Sequence, residues 1–205
     1  LSDNTDIAAI VLAAGASRRF GSDKLLHPLT LHGVTLPLAA HSLTLWLETF
    51  AVVTVVVRPG AEAFCAAIGN ALNVANSTRL RWTICENADQ GMATSLAYGV
   101  RANKDAAGWL IGLADMPAVP LAAIAAVRQA LLAGAELAAP FCEHKRGHPV
   151  GFSARYLAEL LKLQGDAGAR HLLERDKSNI EPVEISNRGI LADIDKTDDL
   201  EYFNT

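Results

Sequence analysis

The chain has 205 residues, 51% of them apolar, which suffices for one large core and is too short for two comfortable domains, so residues 1–205 are read as a single domain. Its formal net charge of -4 argues against a nucleic-acid partner, because a phosphate-backbone binder needs a basic face. No apolar run approaches the roughly 20 residues a membrane helix needs, so no membrane association is expected.

Residues 1–6 are expected to form a flexible leader. Apolar runs of strand character then recur at Ile7–Leu12, Val52–Val57, Leu80–Cys85, Trp109–Leu113 and Leu137–Pro140. Helical spacing fills the intervals at Leu36–Leu47, Ala61–Leu72, Met92–Arg101 and Leu121–Leu132. Such alternation predicts βαβ units and an α/β fold with a mostly parallel, doubly wound sheet. The charged stretch Glu143–Val150 reads as a long functional loop. Cys65, Cys85 and Cys142 are odd in number and form no Cys-x-x-Cys pair, so neither a disulfide framework nor a zinc site is indicated and a reducing cytoplasm is the simplest setting. Cys142, placed in that loop region near Lys145 and Arg146, is the one thiol with a claim to reactivity, although an inert thiol is favoured.

The first strand runs into LAAGASRRFGSDKL (Leu12–Leu25), and loops leaving the carboxyl ends of parallel strands are where open α/β sheets bind ligands. The spacing is neither a P-loop nor a dinucleotide fingerprint. Counting from Gly15, the P-loop glycine and lysine positions hold Phe20 and Gly21, and the second fingerprint glycine is Ser17. Gly15 and Gly21 remain to admit an anion close to the backbone, with Arg18, Arg19 and Lys24 as positive charge. A triphosphate suits that arrangement; a solvated basic turn is the alternative. Ser17-Arg18-Arg19 lacks the apolar segment an export signal requires.

With ENADQGMATSLAYGV (Glu86–Val100), LADMP (Leu113–Pro117), GHPVGF (Gly147–Phe152), GDAGAR (Gly165–Arg170) and ADIDKTDDL (Ala192–Leu200) following in order, the chain resembles the molybdenum cofactor cytidylyltransferase and guanylyltransferase group of nucleotidyltransferases. The resemblance implies a three-layer, Rossmann-like nucleotidyltransferase fold. LAAG at Leu12–Gly15, where guanylyl-transferring relatives typically carry LAGG, is more similar to the cytidylyl branch. The implied reaction is attack by the terminal phosphate of molybdopterin on the α-phosphorus of CTP, giving a cytosine dinucleotide and pyrophosphate. A phosphate monoester is largely ionised near neutral pH and needs no general base, so the lack of a Ser-His-Asp or Cys-His constellation is expected.

Asp115 should emerge at the carboxyl edge of a central strand, where it can hold Mg²⁺ or cap the following helix; the resemblance favours the metal. Asp193 and Asp195 alternate about Ile194, so either can join Asp115. The resemblance selects Asp195 and leaves Asp193, Asp198 and Asp199 as capping or surface acids; it also carries a proline where this chain has Asp198. Lys24 is the candidate α/β-phosphate contact, and Arg18 the support for the leaving pyrophosphate. Leu12, Ala13, Ala14, Gly15, Ser17 and Gly21 would supply backbone and space for the nucleotide. Asn87, Gly91 and Ser95 would stand near base, ribose or phosphate at a helix N-terminus, with Ser95 alternatively an interior helix hydroxyl. On the acceptor side the resemblance points to His148, Pro149, Asp166 and Arg170; an i, i+4 pair of Arg170 with Asp166 is the alternative for that arginine. His27, His32, His41, His144 and His171 show no metal-ligand spacing. Two rivals remain open: nucleotidyl transfer to a sugar phosphate or methylerythritol phosphate, and a non-catalytic protein delivering the cofactor to a molybdoenzyme. Enzymes of the former kind normally carry Pro-Lys where Asp23-Lys24 stands.

Overall fold

The computed structural model describes residues 6–15, 20, 23–196 and 199. Strand β1 (Ile7–Leu12) is apolar along its whole length because it is covered on both faces. Strands β2 (Pro28–Leu31) and β3 (Val34–Pro37) form a separate antiparallel hairpin. Next come helix α1 (Leu38–Thr49), β4 (Val53–Val57), α2 (Glu62–Ala71), the short α3 (Val74–Ser77) and β5 (Leu80–Ile84). They are followed by α4 (Met92–Ala102), β6 (Gly108–Leu113), α5 (Leu121–Leu132), β7 (Leu137–Cys142), β8 (Lys145–Arg146) and β9 (Val150–Ser153). Helices α6 (Leu157–Leu160) and α7 (Arg170–Arg175) precede β10 (Ile180–Glu184).

The main sheet runs β10-β7-β9-β6-β1-β4-β5, with β8 paired to β7. Pairings β1–β4, β1–β6, β4–β5 and β7–β10 are parallel, whereas β9 is antiparallel to both β6 and β7. Alternate residues of one strand supply two cores: Ala9 and Val11 pack with α1, α2 and α5, while Ile10 and Leu12 pack with α4, α6 and α7. This gives the expected three-layer, mostly parallel α/β architecture. Gly99 lets α4 lie flush on the sheet, since a Cβ there would come 2.6 Å from Ile10 Cγ2. The N-terminus of α4 is thereby brought to the carboxyl edge of the strands.

Several local expectations change. The helix expected from Leu36 begins only at Leu38, because Leu29 and Leu36 pair across the β2–β3 hairpin, which turns through His32 and Gly33 at φ values of 52° and 78°. Glu143–Val150 is no long loop: β7 and β8 turn tightly at Glu143 and His144, both with positive φ, and Val150 already belongs to β9. Cys142 is the buried last residue of β7, its thiol 3.7 Å from the Ser186 carbonyl, so it is not an exposed reactive cysteine. Asp6, expected in the leader, accepts a backbone bond from Ala107 N at 3.1 Å; residues 1–5 lie outside the described residues. The sequence reading missed β10, whose Pro182 is tolerable at a sheet edge.

Candidate active site

Three segments distant in sequence converge beyond the carboxyl ends of β1 and β6. Lys24 opens a 3₁₀ turn over Lys24–Leu26, anchored by buried Phe20 and Leu25; Asp23 Oδ1 accepts from Leu25 N at 3.2 Å and caps it. Asp115 follows Ala114, whose N–H reaches Leu12 O at 3.0 Å and whose carbonyl accepts from buried Ser42 Oγ at 2.9 Å. Ile194, fully buried, donates its N–H to Asp115 O at 3.0 Å and so draws the C-terminal segment against β6. Asp199 Oδ2 holds the next residues by accepting from Asp195 N and Lys196 N, each at 2.7 Å.

The result is an ammonium set among acids. Lys24 Nζ lies 2.8 Å from Asp115 Oδ2, 3.1 Å from Asp195 Oδ1 and 2.7 Å from Ile194 O. Burial works to lower its pKa, but the charges and hydrogen bonds of Asp115 and then Asp195 outweigh that and hold it above the ordinary lysine value. Lys24 is therefore not on an exposed loop, as a lysine in a basic turn would be; its side chain is 11% exposed. Asp193, read from sequence as a surface or capping acid, joins the same group: one carboxylate oxygen from each of Asp115, Asp193 and Asp195 lies within 4.8 Å of the others. Burial raises its carboxyl pKa, reinforced by the charges of Asp115 and Asp195. Asp115 Oδ1 is buried without a hydrogen-bond partner among the described residues. An all-oxygen donor set with a spare lone pair suits a hard divalent cation.

A cavity of about 740 Å³ opens beside this cluster. Leu12, Ala13, Ala14 and Gly15 line it from the β1 loop, with Lys24 and Asp115; Gly91, Met92 and Ser95 line it from the start of α4. Gly91 adopts φ 112°, and a Cβ there would stand 2.2 Å from Asp166 Oδ1 and 2.5 Å from the Gly165 carbonyl. Gly165 O accepts from Ala93 N at 2.8 Å, so the GDAGAR segment is seated on the N-terminus of α4 and brings Asp166 into the cavity wall. Ser95 is buried, and its hydroxyl hydrogen-bonds the Cys85 thiol, partly offsetting the upward push that burial gives that thiol's pKa.

Other expected site residues stand elsewhere. Asn87, His148, Pro149 and Arg170 are not among the residues lining the cavity. Arg170 Nε is 4.0 Å from Glu174 Oε1, an i, i+4 pair with an acid other than the Asp166 weighed from sequence. His148 is half-buried with Nδ1 unpartnered among the described residues, and burial followed by the Arg146 charge lowers its pKa to about 4. Ser17, Arg18, Arg19 and Gly21 lie outside the described residues. Sequence reasoning missed Arg58, Pro59 and Glu86, which also line the cavity. The available signal was positional: Arg58 follows Val57 at the carboxyl end of β4, the neighbour of β1.

Residues 9–180 match the MobA-like NTP transferase domain. The chain belongs to that family. It is 30% identical over 203 residues to the purine catabolism protein PucB of Bacillus subtilis, covering 95% of this chain and 94% of that protein. Among solved structures, Rv0371c of Mycobacterium tuberculosis superposes with a TM-score of 0.78 at 25% identity, covering 97% of both chains. A manganese complex of Rv0371c superposes with a TM-score of 0.73 at 24% identity, covering 97% of this chain and 98% of that one. The 4-diphosphocytidyl-2C-methyl-D-erythritol synthase of Anaerococcus prevotii, 14% identical, shares the fold with a TM-score of 0.71 over 98% of both chains. By family and fold this MobA-like chain is a nucleotidyltransferase. Within its described residues no helix is long and apolar enough to cross a membrane.

Proposed function

We propose that the protein transfers CMP from CTP to the terminal phosphate of a molybdopterin-type pterin. The observation that carries the reading is the junction of Lys24, Asp115 and Asp195 beside a nucleotide-sized cavity lined by Leu12–Gly15. In the transfer, a pterin phosphate oxygen bonds to the α-phosphorus and the bond from that phosphorus to the β-phosphate bridging oxygen breaks, releasing pyrophosphate. The nucleophile is already ionised, so this chain's task is positioning and charge neutralisation.

Asp115 and Asp195, with Asp193 beside them, would hold Mg²⁺, which when bound neutralises phosphate oxygens. Lys24 supplies a permanent positive charge at the same place. Ala13 N–H is committed to Val56 O at 2.8 Å, so other backbone groups of the Leu12–Gly15 segment must read the base edge. Ser17, Arg18 and Gly21 belong to the triphosphate-binding loop in this reading, and Asn87, Gly91 and Ser95 to the base and ribose side. Asp166, part of the cavity wall, would serve the acceptor side in this reading; His148, Pro149 and Arg170 would have to meet a pterin that extends beyond the cavity. A reducing cytoplasm and brief contact with the molybdoenzyme that takes the product complete the proposal.

LAAG at Leu12–Gly15 supports CTP over GTP. Preference by on the order of 10² to 10⁵ is expected if a base-edge hydrogen bond is made with one base and left unpaired with the other. The test is incubation with each NTP, Mg²⁺ and molybdenum-loaded pterin, measuring pyrophosphate release and product mass. Equal or better turnover with GTP would reverse the choice of nucleotide, and transfer only to a sugar phosphate or methylerythritol phosphate would replace the acceptor. Tight pterin binding without pyrophosphate release from any NTP would point to a delivery protein.

A further inference from the structure

Arg58 has no role in the reading above, yet it lines the same cavity as Lys24, Asp115 and the Leu12–Gly15 segment. Around that cavity the charged residues among those described are four acids, Glu86, Asp89, Asp115 and Asp166, against two bases, Lys24 and Arg58. Lys24 is already engaged by Asp115, Asp195 and the Ile194 carbonyl. Arg58 is held far less firmly. Its Nη2 is 3.8 Å from Asp23 Oδ2, with side chains 38% and 33% exposed. An ion pair that long and that wet contributes little, so its release costs little.

The position of that pair indicates which part of a nucleotide Arg58 meets. Asp23 is the residue before Lys24, and its other oxygen caps the turn that presents Lys24 to the acids. The guanidinium thus rests beside the turn that carries the phosphate-facing lysine. A guanidinium offers paired N–H donors that match two phosphate oxygens at once, and its charge persists throughout the accessible pH range. We propose that Arg58 is a polyphosphate-binding residue whose guanidinium leaves Asp23 for the β,γ end of the bound nucleoside triphosphate. Asp23 then serves two purposes, capping the Lys24 turn and parking Arg58 over the cavity while no nucleotide is bound. This inference rests on the nucleoside-triphosphate reading of the cavity.

The test compares CTP, GTP and CMP binding by calorimetry, with Mg²⁺ and without acceptor, for the wild-type chain, Arg58→Gln and Arg58→Lys. Arg58→Gln should weaken CTP binding by about tenfold or more, the loss of a charge-assisted contact, while CMP affinity changes by less than about twofold. Arg58→Lys should recover part of the CTP affinity. Asp23→Asn, which keeps the capping oxygen and removes the competing charge, should leave CTP binding unchanged or tighter. Unchanged CTP affinity in Arg58→Gln, with the melting temperature preserved, overturns the proposal. Equal weakening of CTP and CMP also overturns it, by assigning Arg58 to base or ribose. Failure of the wild-type chain to bind either triphosphate overturns the nucleotide reading itself, and with it this inference.

Discussion

Lys24 shows how far a residue's setting can depart from its local sequence. A lysine in a Gly-containing basic segment would ordinarily be a solvated charge, but Phe20 and Leu25 are buried and the turn beginning at Lys24 sets its ammonium between two carboxylates. Lys24→Met should reduce nucleotidyl transfer by on the order of 10² or more. It should also destabilise the metal-free protein by about 1–3 kcal/mol, because the acids lose their counter-charge. Added Mg²⁺ should restore that stability without restoring turnover; denaturant titrations with and without the cation check this, and near-normal turnover would leave Lys24 a structural residue. His148 governs a different property. Its pKa of about 4 in the fold lies below the ordinary 6.5, so the unfolded chain takes up the proton first as pH falls. Its stabilising contribution is complete above 6.5 and is lost between 6.5 and 4, with a slope approaching roughly 1.4 kcal/mol per pH unit. His148→Gln should flatten the stability profile in that window, as measured by urea midpoints on either side of it.

The elements that carry the site are placed by a few contacts that can be removed one at a time. Gly91 combines a positive φ with an approach to Asp166 and Gly165 that leaves no room for a Cβ. Gly91→Ala should therefore cost about 2 kcal/mol or more and loosen the GDAGAR segment from α4, seen as faster amide exchange at Ala93, whose N–H bonds Gly165 O. Helix α1 depends on Arg79, which donates to the Leu47 and Phe50 carbonyls at the helix end and, through Nε, to Ala51 O at 2.9 Å. Arg79→Met would strand carbonyls that the side chain now satisfies, and a loss of about 2 kcal/mol is expected in chemical denaturation.

Across the whole molecule, the site joins the beginning, middle and end of the chain. Asp115 and Asp195 share Lys24 and belong to one oxygen cluster, so they should act as a unit. Asp115→Asn and Asp195→Asn should each remove most activity, and the double variant should be little worse than the poorer single one. Losses that multiply, or near-normal turnover in Asp195→Asn, would assign Asp195 to capping alone. Asp193→Asn, on the exposed side of the cluster, should weaken divalent-cation affinity less than either.

Sequence determined what depends on neighbours along the chain. The apolar strands β1, β4 and β6 and the helices α4 and α5 were legible because burial on both faces leaves a nearly unbroken apolar run, and one-sided packing leaves a helical period. Asp115 was legible because a carboxylate just past a buried strand sits at the ligand edge, and Asp195 because family resemblance singled it out. Tertiary structure decided what depends on residues far apart. The antiparallel insertion of β9 between β6 and β7 has no local signature, since a buried four-residue run reads alike in either direction. That Asp193 joins Asp195 beside Asp115 was decided only when Ile194 docked against Asp115. The burial of Lys24 required contacts spanning 91 and 170 residues, a convergence no periodicity encodes. Arg58 entered the site for the same reason: parallel pairing of β4 with β1 sets their carboxyl ends side by side, and that pairing exists only in the folded sheet.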